Sequence, residues 1–232
     1  MTTVLMLGSA PNALLARTWP RAPFDSILVI NNAHLIRPDW DFHIHPWDFP
    51  EDRRPQPGPG QQTILQDRFV PAQNAYGGFV CAGGTMAFTA AYWALHALRP
   101  RVLAVLGCDM TYAASGATHF YGTGTPDPLR PDITLRDLEA KSARLEALAA
   151  LQDCALVNLS TLPSRLIAPR ATPGTCASAR PRPPDPTALA RAQSREAKLN
   201  YTTPTGRYWE DLSRFDPAEI DALDSLWRAC YP

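Results

Sequence analysis

The run Thr118-His119-Phe120-Tyr121-Gly122 holds the side chain best suited to moving a proton near neutral pH. Apart from His34, His119 is the histidine that falls outside any strand or helix pattern. In such a loop it can serve as a general acid or base, or as an ordinary hydrogen-bonding group. Asp109, in Gly107-Cys108-Asp109, places a carboxylate just after a strongly apolar run. Active-site acids lie at such points, and so do carboxylates that orient the following loop by accepting N–H bonds.

Three further segments have the composition of ligand-binding turns. Gly8-Ser9-Ala10-Pro11-Asn12 is a small-residue turn into a helix-compatible stretch, where backbone N–H groups and the positive helix end suit a phosphate or carboxylate. It is neither a Walker loop nor G-x-G-x-x-G. Asn31-Asn32 is an amide pair able to read a base or ribose edge, or to make a turn. Cys81-Ala82-Gly83-Gly84-Thr85 brings two glycines to a helix start, where Thr85 can touch a phosphate or cap the helix. Asp39, Asp41, His43 and His45 alternate as the residues of one strand face do. They could converge on a metal, and D-x-D resembles the metal-nucleotide motif of many glycosyltransferases, but a half-exposed strand alternates in the same way.

The elements that must position these groups read as an α/β protein. Strands are expected at residues 4–7, 26–31, 41–45, 101–106 and 155–159. Helical patterns fall at 12–19, at 84–98, which is apolar on nearly every face, and at 134–151. The last has Leu138, Leu145 and Leu148 on one side, with Arg136, Glu139, Lys141, Arg144 and Glu146 elsewhere. Five prolines in residues 46–60 exclude a helix or central strand there. The Gly, Thr, Pro and Ala-rich stretch 110–132 is too long for a plain connector. Residues 1–170 thus form a Rossmann-like domain with a mostly parallel sheet flanked by helices. A Pro-rich linker spans 171–186, and a short helical C-terminal tail spans 187–232, where Asp216-Pro217 starts a helix. Trp209, Phe215 and Trp227 would pack the tail on the domain or on a neighbouring subunit, so an oligomer stays open.

Composition narrows the partners. Lysine and arginine number 22, balanced by 22 aspartates and glutamates, so the diffuse cationic surface that nucleic acid requires is missing. Any phosphate site would rely on backbone N–H groups and amides. No apolar run reaches membrane-spanning length, and the N-terminus lacks a basic region and cleavage site, so a soluble, cytoplasmic chain is expected. Five cysteines, odd in number and without C-x-x-C, point to reduced buried thiols.

Over roughly residues 3–168 the chain resembles the bacterial lipooligosaccharide sialyltransferases and the related 6-hydroxymethylpterin diphosphokinase-like family. The shared features occur in order. They are the first-strand turn at Gly8-Ser9-Ala10-Pro11-Asn12, Asn31 after the second strand, Gly83-Gly84-Thr85 opening a buried helix, and strand-Gly107-Cys108-Asp109. The resemblance implies a nucleotide, or a cytidine nucleotide sugar, along the carboxyl edge of the sheet. The first turn and Asn31 would contact the nucleotide, Gly83 to Thr85 would lie beside its phosphate or sugar, and residues 110–133 would form a lid.

Sialyl transfer in that family needs no metal cofactor. A lid histidine deprotonates the acceptor hydroxyl and tyrosines assist the departing phosphate. The family pattern H-Y-x-G-H is similar to His119-Phe120-Tyr121-Gly122-Thr123, so the place of its catalytic histidine falls on Thr123. His119 can take over if the lid folds differently, with Tyr121 or Tyr112 supporting the phosphate. The expectation is therefore a CMP-sialic-acid-like donor and a glycan acceptor. The alternatives are an ATP and Mg2+ dependent diphosphokinase, with its metal near Asp109 and Asp41, or a non-catalytic nucleotide-binding or scaffold protein.

Overall fold

The computed structural model describes residues 2–112 and 115–232. Six strands, β1 (Thr3–Leu7), β2 (Ser26–Ile30), β3 (Phe42–Ile44), β4 (Gln62–Ile64), β5 (Val102–Leu106) and β6 (Ala155–Asn158), form one parallel sheet in the order β4-β3-β2-β1-β5-β6. Each residue of β1, β5 and β6 is buried, as it must be where a parallel sheet is covered on both faces. The two-residue alternation then sorts side chains. Val4, Met6, Leu28, Ile30, Leu103 and Val105 enter one core; Leu5, Leu7, Ile27, Val29, Ala104 and Leu106 enter the other.

The first face carries the α-helices α1 (Gln66–Asn74), α2 (Phe79–Ala82), α3 (Met86–Ala97) and α4 (Leu138–Ala150). Every residue of α3 from Phe88 to Leu95 is buried, and Trp93 meets Phe42 edge-on with centroids 5.2 Å apart. The opposite face is covered by tight helical turns at Pro11–Thr18 and Asn31–Leu35, and by Phe24, Trp40 and Cys176. The sheet is thus flanked by helical segments, of which the first face holds the long ones.

Several expected boundaries move. Strand β3 is shorter than residues 41–45, because Asp41 turns its carboxylate onto the Ile27 N–H (2.7 Å). Helix α4 starts at Leu138 rather than 134, since the Asp137 side chain accepts the N–H groups of Glu139 and Ala140 and so sets the cap. Strand β4 and helices α1 and α2 were not expected. A three-residue strand gives no alternation to read, and α1 contains Pro71.

After residue 170 the chain stays on the body. Cys176 is fully buried, and Arg182 forks onto Glu146 through bonds of 2.9 and 2.7 Å. Helices α5 (Pro186–Leu199) and α6 (Pro217–Arg228) begin at Asp185 and Asp216, whose side chains accept from Ala188 and Ala218. Tyr201, Tyr208, Phe215, Ile220 and Trp227 then build a third core with Val80, Cys81 and Ala147.

The tail explains why Lys141 and Arg144, which the helical pattern sets outside the apolar stripe, are almost wholly buried. Lys141 Nζ lies 2.6 Å from Asp224 Oδ1. Arg144 pairs with Glu196 at 2.5 Å, donates to Tyr92 Oη at 2.6 Å, and stacks over the Tyr92 and Trp227 rings. A helix packed on both sides can keep charges inside only if each one finds a partner. All five cysteines are free thiols, and among the described residues no helix is long and apolar enough to cross a membrane.

Candidate functional site

Strand β1 lies between β2 and β5, and the chain leaves it toward opposite sheet edges, so the connections after β1 and β5 diverge and open a crevice at the strand carboxyl ends. The floor is a close backbone crossing. A Cβ on Gly8 would overlap the Gly107 carbonyl oxygen, and Gly107 has φ +78°. This crossing changes the expected use of the first turn. The Gly8 and Ala10 N–H groups donate to Leu106 O (2.8 Å) and Gly107 O (3.0 Å), so they face β5 rather than a phosphate. What the turn offers a ligand is the N–H and hydroxyl of Ser9.

The crevice widens into a cleft of about 1830 Å³. Of the residues singled out in the sequence, Gly8, Ser9, Ala10, Asn31, Asn32, Gly84, Thr85, Tyr112, His119 and Tyr121 line it, and Pro11, Asn12, Gly83 and Asp109 do not. Asp109 is buried beneath the floor, where its Oδ2 accepts from Asn12 Nδ2 (3.0 Å) and Ser160 Oγ (2.8 Å). Asn12 also donates to Ser160 at 2.7 Å. Asn12 and Asp109 thus form a latch that ties the ends of β1, β5 and β6 together, with the Oδ1 of each left without a partner among the described residues.

Gly83 has φ +94° and packs on Phe88 and Lys141, a structural role. Gly84 reaches the cleft with both backbone groups engaged. Its N–H donates to Thr134 Oγ1 (2.9 Å) and its carbonyl accepts from Arg130 (3.0 Å). Thr85 caps α3 by accepting the Phe88 N–H at 3.3 Å. Behind Gly84, Asp132 holds the group together, accepting from Thr134 Oγ1 (2.7 Å) and Tyr208 Oη (2.8 Å) and pairing with Arg130 (3.2 Å). Asp132, Arg130 and Tyr208 were missed from sequence: Arg130 and Asp132 stand two residues apart in a loop without a regular period, and Tyr208 lies 76 residues from its partner.

Asn31 ends β2 in a left-handed conformation, φ +51°, which costs energy for a residue with a Cβ. Two imidazoles hold it there, His34 Nδ1 and His43 Nε2 donating to its carbonyl at 2.9 and 2.8 Å. Its side-chain Oδ1 is buried without a partner among the described residues. Burial pushes His43 down to about 4, against the pull of its bond to the Asn31 carbonyl and with help from the neighbouring His34 and His45; its other nitrogen, Nδ1, has no partner among the described residues. Burial also lowers His45. Asp39 is held by Arg37 (2.8 Å) and Asp41 by Arg21 (2.5 Å). The alternating acids and imidazoles therefore brace the β2 end, and among the described residues no three such groups are placed to share a metal.

The loop carrying His119 crosses the cleft as a tight turn. His119 and Gly122 exchange backbone bonds of 3.0 and 3.1 Å, and the Phe120 N–H donates to the Ser9 carbonyl (2.9 Å), fastening the loop to the β1 turn. Thr118 Oγ1 accepts the Gly124 N–H (2.8 Å), and its single hydrogen has two acceptors within reach, Gly124 O (3.0 Å) and His119 Nδ1 (2.8 Å). Thr118 thus holds the Nδ1 side of the His119 ring, and Nε2 has no hydrogen-bond partner among the described residues. Burial holds the imidazole below its usual value, with Asp127 pulling the other way, so it is neutral at pH 7. Tyr121 stacks on it at 5.0 Å and Tyr112 lies at 5.9 Å. Burial pushes Tyr112 well up and keeps its hydroxyl a donor. Thr123 bonds the Gly116 carbonyl instead (3.2 Å).

Compared with known proteins, the chain matches no protein-family model, no curated protein and no solved structure.

Proposed function

We propose that the protein is a transferase that takes a nucleotide-sugar donor, CMP-sialic-acid-like, and glycosylates a glycan hydroxyl. The observation that carries this proposal is the position of His119, an imidazole bonded to Thr118 through Nδ1 and unbonded at Nε2, on a loop tied to Ser9 at the sheet's switch point. Glycosyl transfer needs a base for the acceptor hydroxyl and donors for the phosphate that leaves. His119 Nε2 takes the hydroxyl proton as the acceptor oxygen bonds to the sugar carbon. The bond from that carbon to the phosphate oxygen breaks, and its electron pair stays with the nucleotide. Tyr112 and Tyr121 donate to that phosphate, and Ser9 supplies a backbone N–H beside it. Asn31, with an unpartnered Oδ1, receives a donor from the base or ribose.

A thermal-shift panel of CMP, CDP, UDP, GDP and ATP, each with and without magnesium, tests the proposal. At 100 times its dissociation constant a ligand adds about 2.7 kcal/mol, which for a chain of this size raises Tm by roughly 5–10 °C. A magnesium-independent response to cytidine nucleotides is the expected result. A response to ATP only with magnesium would favour diphosphoryl transfer, and no response to any nucleotide would leave a scaffold. His119→Ala should keep the CMP shift and lose turnover of a CMP-sugar by about 10²-fold or more; unchanged turnover would remove His119 from the mechanism.

A further inference from the structure

Six tryptophans occur in the chain. Trp40, Trp93 and Trp227 are buried and Trp19 is partly covered, whereas Trp47 and Trp209 are 69% and 53% exposed, and both line the cleft. Exposed indoles are costly, and two at one cleft form an informative pattern. They stand on different layers. In sequence Trp47 falls between His45 and Phe49, whose rings pack at 5.2 Å, and Phe49 packs on His43 (5.9 Å), itself 5.9 Å from Trp40 of the second-face core. Trp209 meets Tyr208 edge-on (5.4 Å), and Tyr208 packs on Phe79 (6.4 Å) of the helical face. The two indoles are thus carried on rims from opposite faces of the sheet.

Both rims are braced. Arg54 donates to the carbonyls of Trp47 (3.0 Å) and Phe49 (2.6 and 3.0 Å), and Pro46 and Pro50 stiffen the same loop. On the other rim Tyr208 is fixed by Asp132. Charges of both signs lie on the same rims: Asp48, Asp52 and Arg53 on the cleft-lining loop of Trp47, and Arg207, paired with Glu210 (3.3 Å), in the segment that carries Trp209. Finally, the cleft of about 1830 Å³ exceeds the roughly 300–1,000 Å³ of a site for one small ligand.

We infer that Trp47 and Trp209 are the two jaws of a saccharide subsite, in which a pyranose ring lays its C–H face on indole while carboxylates and guanidinium groups bond its hydroxyls. A pyranose, unlike a lipid or a purely apolar ligand, uses both the exposed aromatic face and the mixed charges of its rim. The inference rests on the transferase proposal, since it makes this subsite the place of the acceptor glycan.

Isothermal titration with lactose, maltotriose and triacetylchitotriose, on the full chain and on Trp47→Ala and Trp209→Ala, tests it, with the CMP thermal shift measured alongside. Both side chains are exposed, so the variants fold. At least one saccharide should bind the native protein and bind each variant about tenfold more weakly, with the CMP shift unchanged. Absence of saccharide binding, or equal binding by both variants, would overturn the subsite. So would loss of the CMP shift in either variant, which would give that indole to the nucleotide base. Tryptophan-dependent saccharide binding without any nucleotide response would keep the subsite and defeat the transferase proposal; the reverse pattern would do the opposite.

Discussion

Replacing His43 by phenylalanine should change how stability depends on pH, with a sign and size that follow from its burial. His43 stays neutral in the folded chain down to about 4, whereas in the unfolded chain it takes up a proton near 6.5. Between those values the unfolded state binds more protons, so its contribution is complete above about pH 6.5 and is lost as the pH falls toward 4. Linkage places the loss at about 2 kcal/mol by pH 5 and about 3 kcal/mol by pH 4. Burial lowers His45 and His119 too, so the native chain falls more steeply than His43 alone requires, and the difference between variant and native protein isolates the one residue. Phenylalanine keeps a ring among Trp40, His34, His45 and Phe49 but loses the bond to the Asn31 carbonyl, a cost of about 1 kcal/mol at pH 7.5. Urea unfolding at half-unit steps from pH 7.5 to 4.5 should therefore give two curves that cross near about pH 6, the variant being the more stable below it. Parallel curves over the whole range, or a His43 imidazole that titrates above pH 6 by NMR, would refute the reasoning.

Lys141→Met leaves Asp224 buried with Oδ2 already unpartnered, and should cost about 3–5 kcal/mol in urea unfolding; adding Asp224→Leu should return much of it. Thr118→Val removes the hydroxyl that bonds His119 Nδ1 and orients its ring, so turnover should fall about tenfold, the worth of one hydrogen bond of about 1.4 kcal/mol, with CMP affinity unchanged. A loss of CMP binding there would mean that the loop holds the nucleotide rather than the base.

How much of this was legible in the sequence depended on the range of the interaction involved. Strands β1, β2, β5 and β6 show themselves as short apolar runs followed by Gly8, Asn31, Gly107 and Ser160, because burial on both faces selects apolar side chains, with Thr3 and Asn158 as buried polar exceptions at strand ends. Asp216 and Thr85 were readable as caps because a cap acts within one helical turn. The roles of Asp109 and Asn12 were not, since the Asn12-Asp109-Ser160 latch joins residues up to 148 positions apart. Gly84 was recognisable as a close-approach site, but the approaching group, Thr134, lies 50 residues on. Arg130 and Asp132, though only two residues apart, gave no signal because their third partner, Tyr208, lies 76 residues on, in a tail that carries the composition of an appendage.

The ion pairs between helix α4 and residues 182–228 bear on the order in which the chain can fold. Lys141, Arg144 and Glu146 are synthesised before Asp224, Glu196 and Arg182, their partners. A nascent chain that has reached residue 170 can pair the strands of the sheet, yet it has three charges on α4 with nothing to neutralise them and a face of Val80, Cys81 and Ala147 still wet. At about 5–20 residues per second, some seconds pass before the last partner arrives. During that interval α4 can stay solvated on its outer side, so docking of α5 and α6 becomes the step that dries the helix and brings Tyr208 to Asp132 at the cleft.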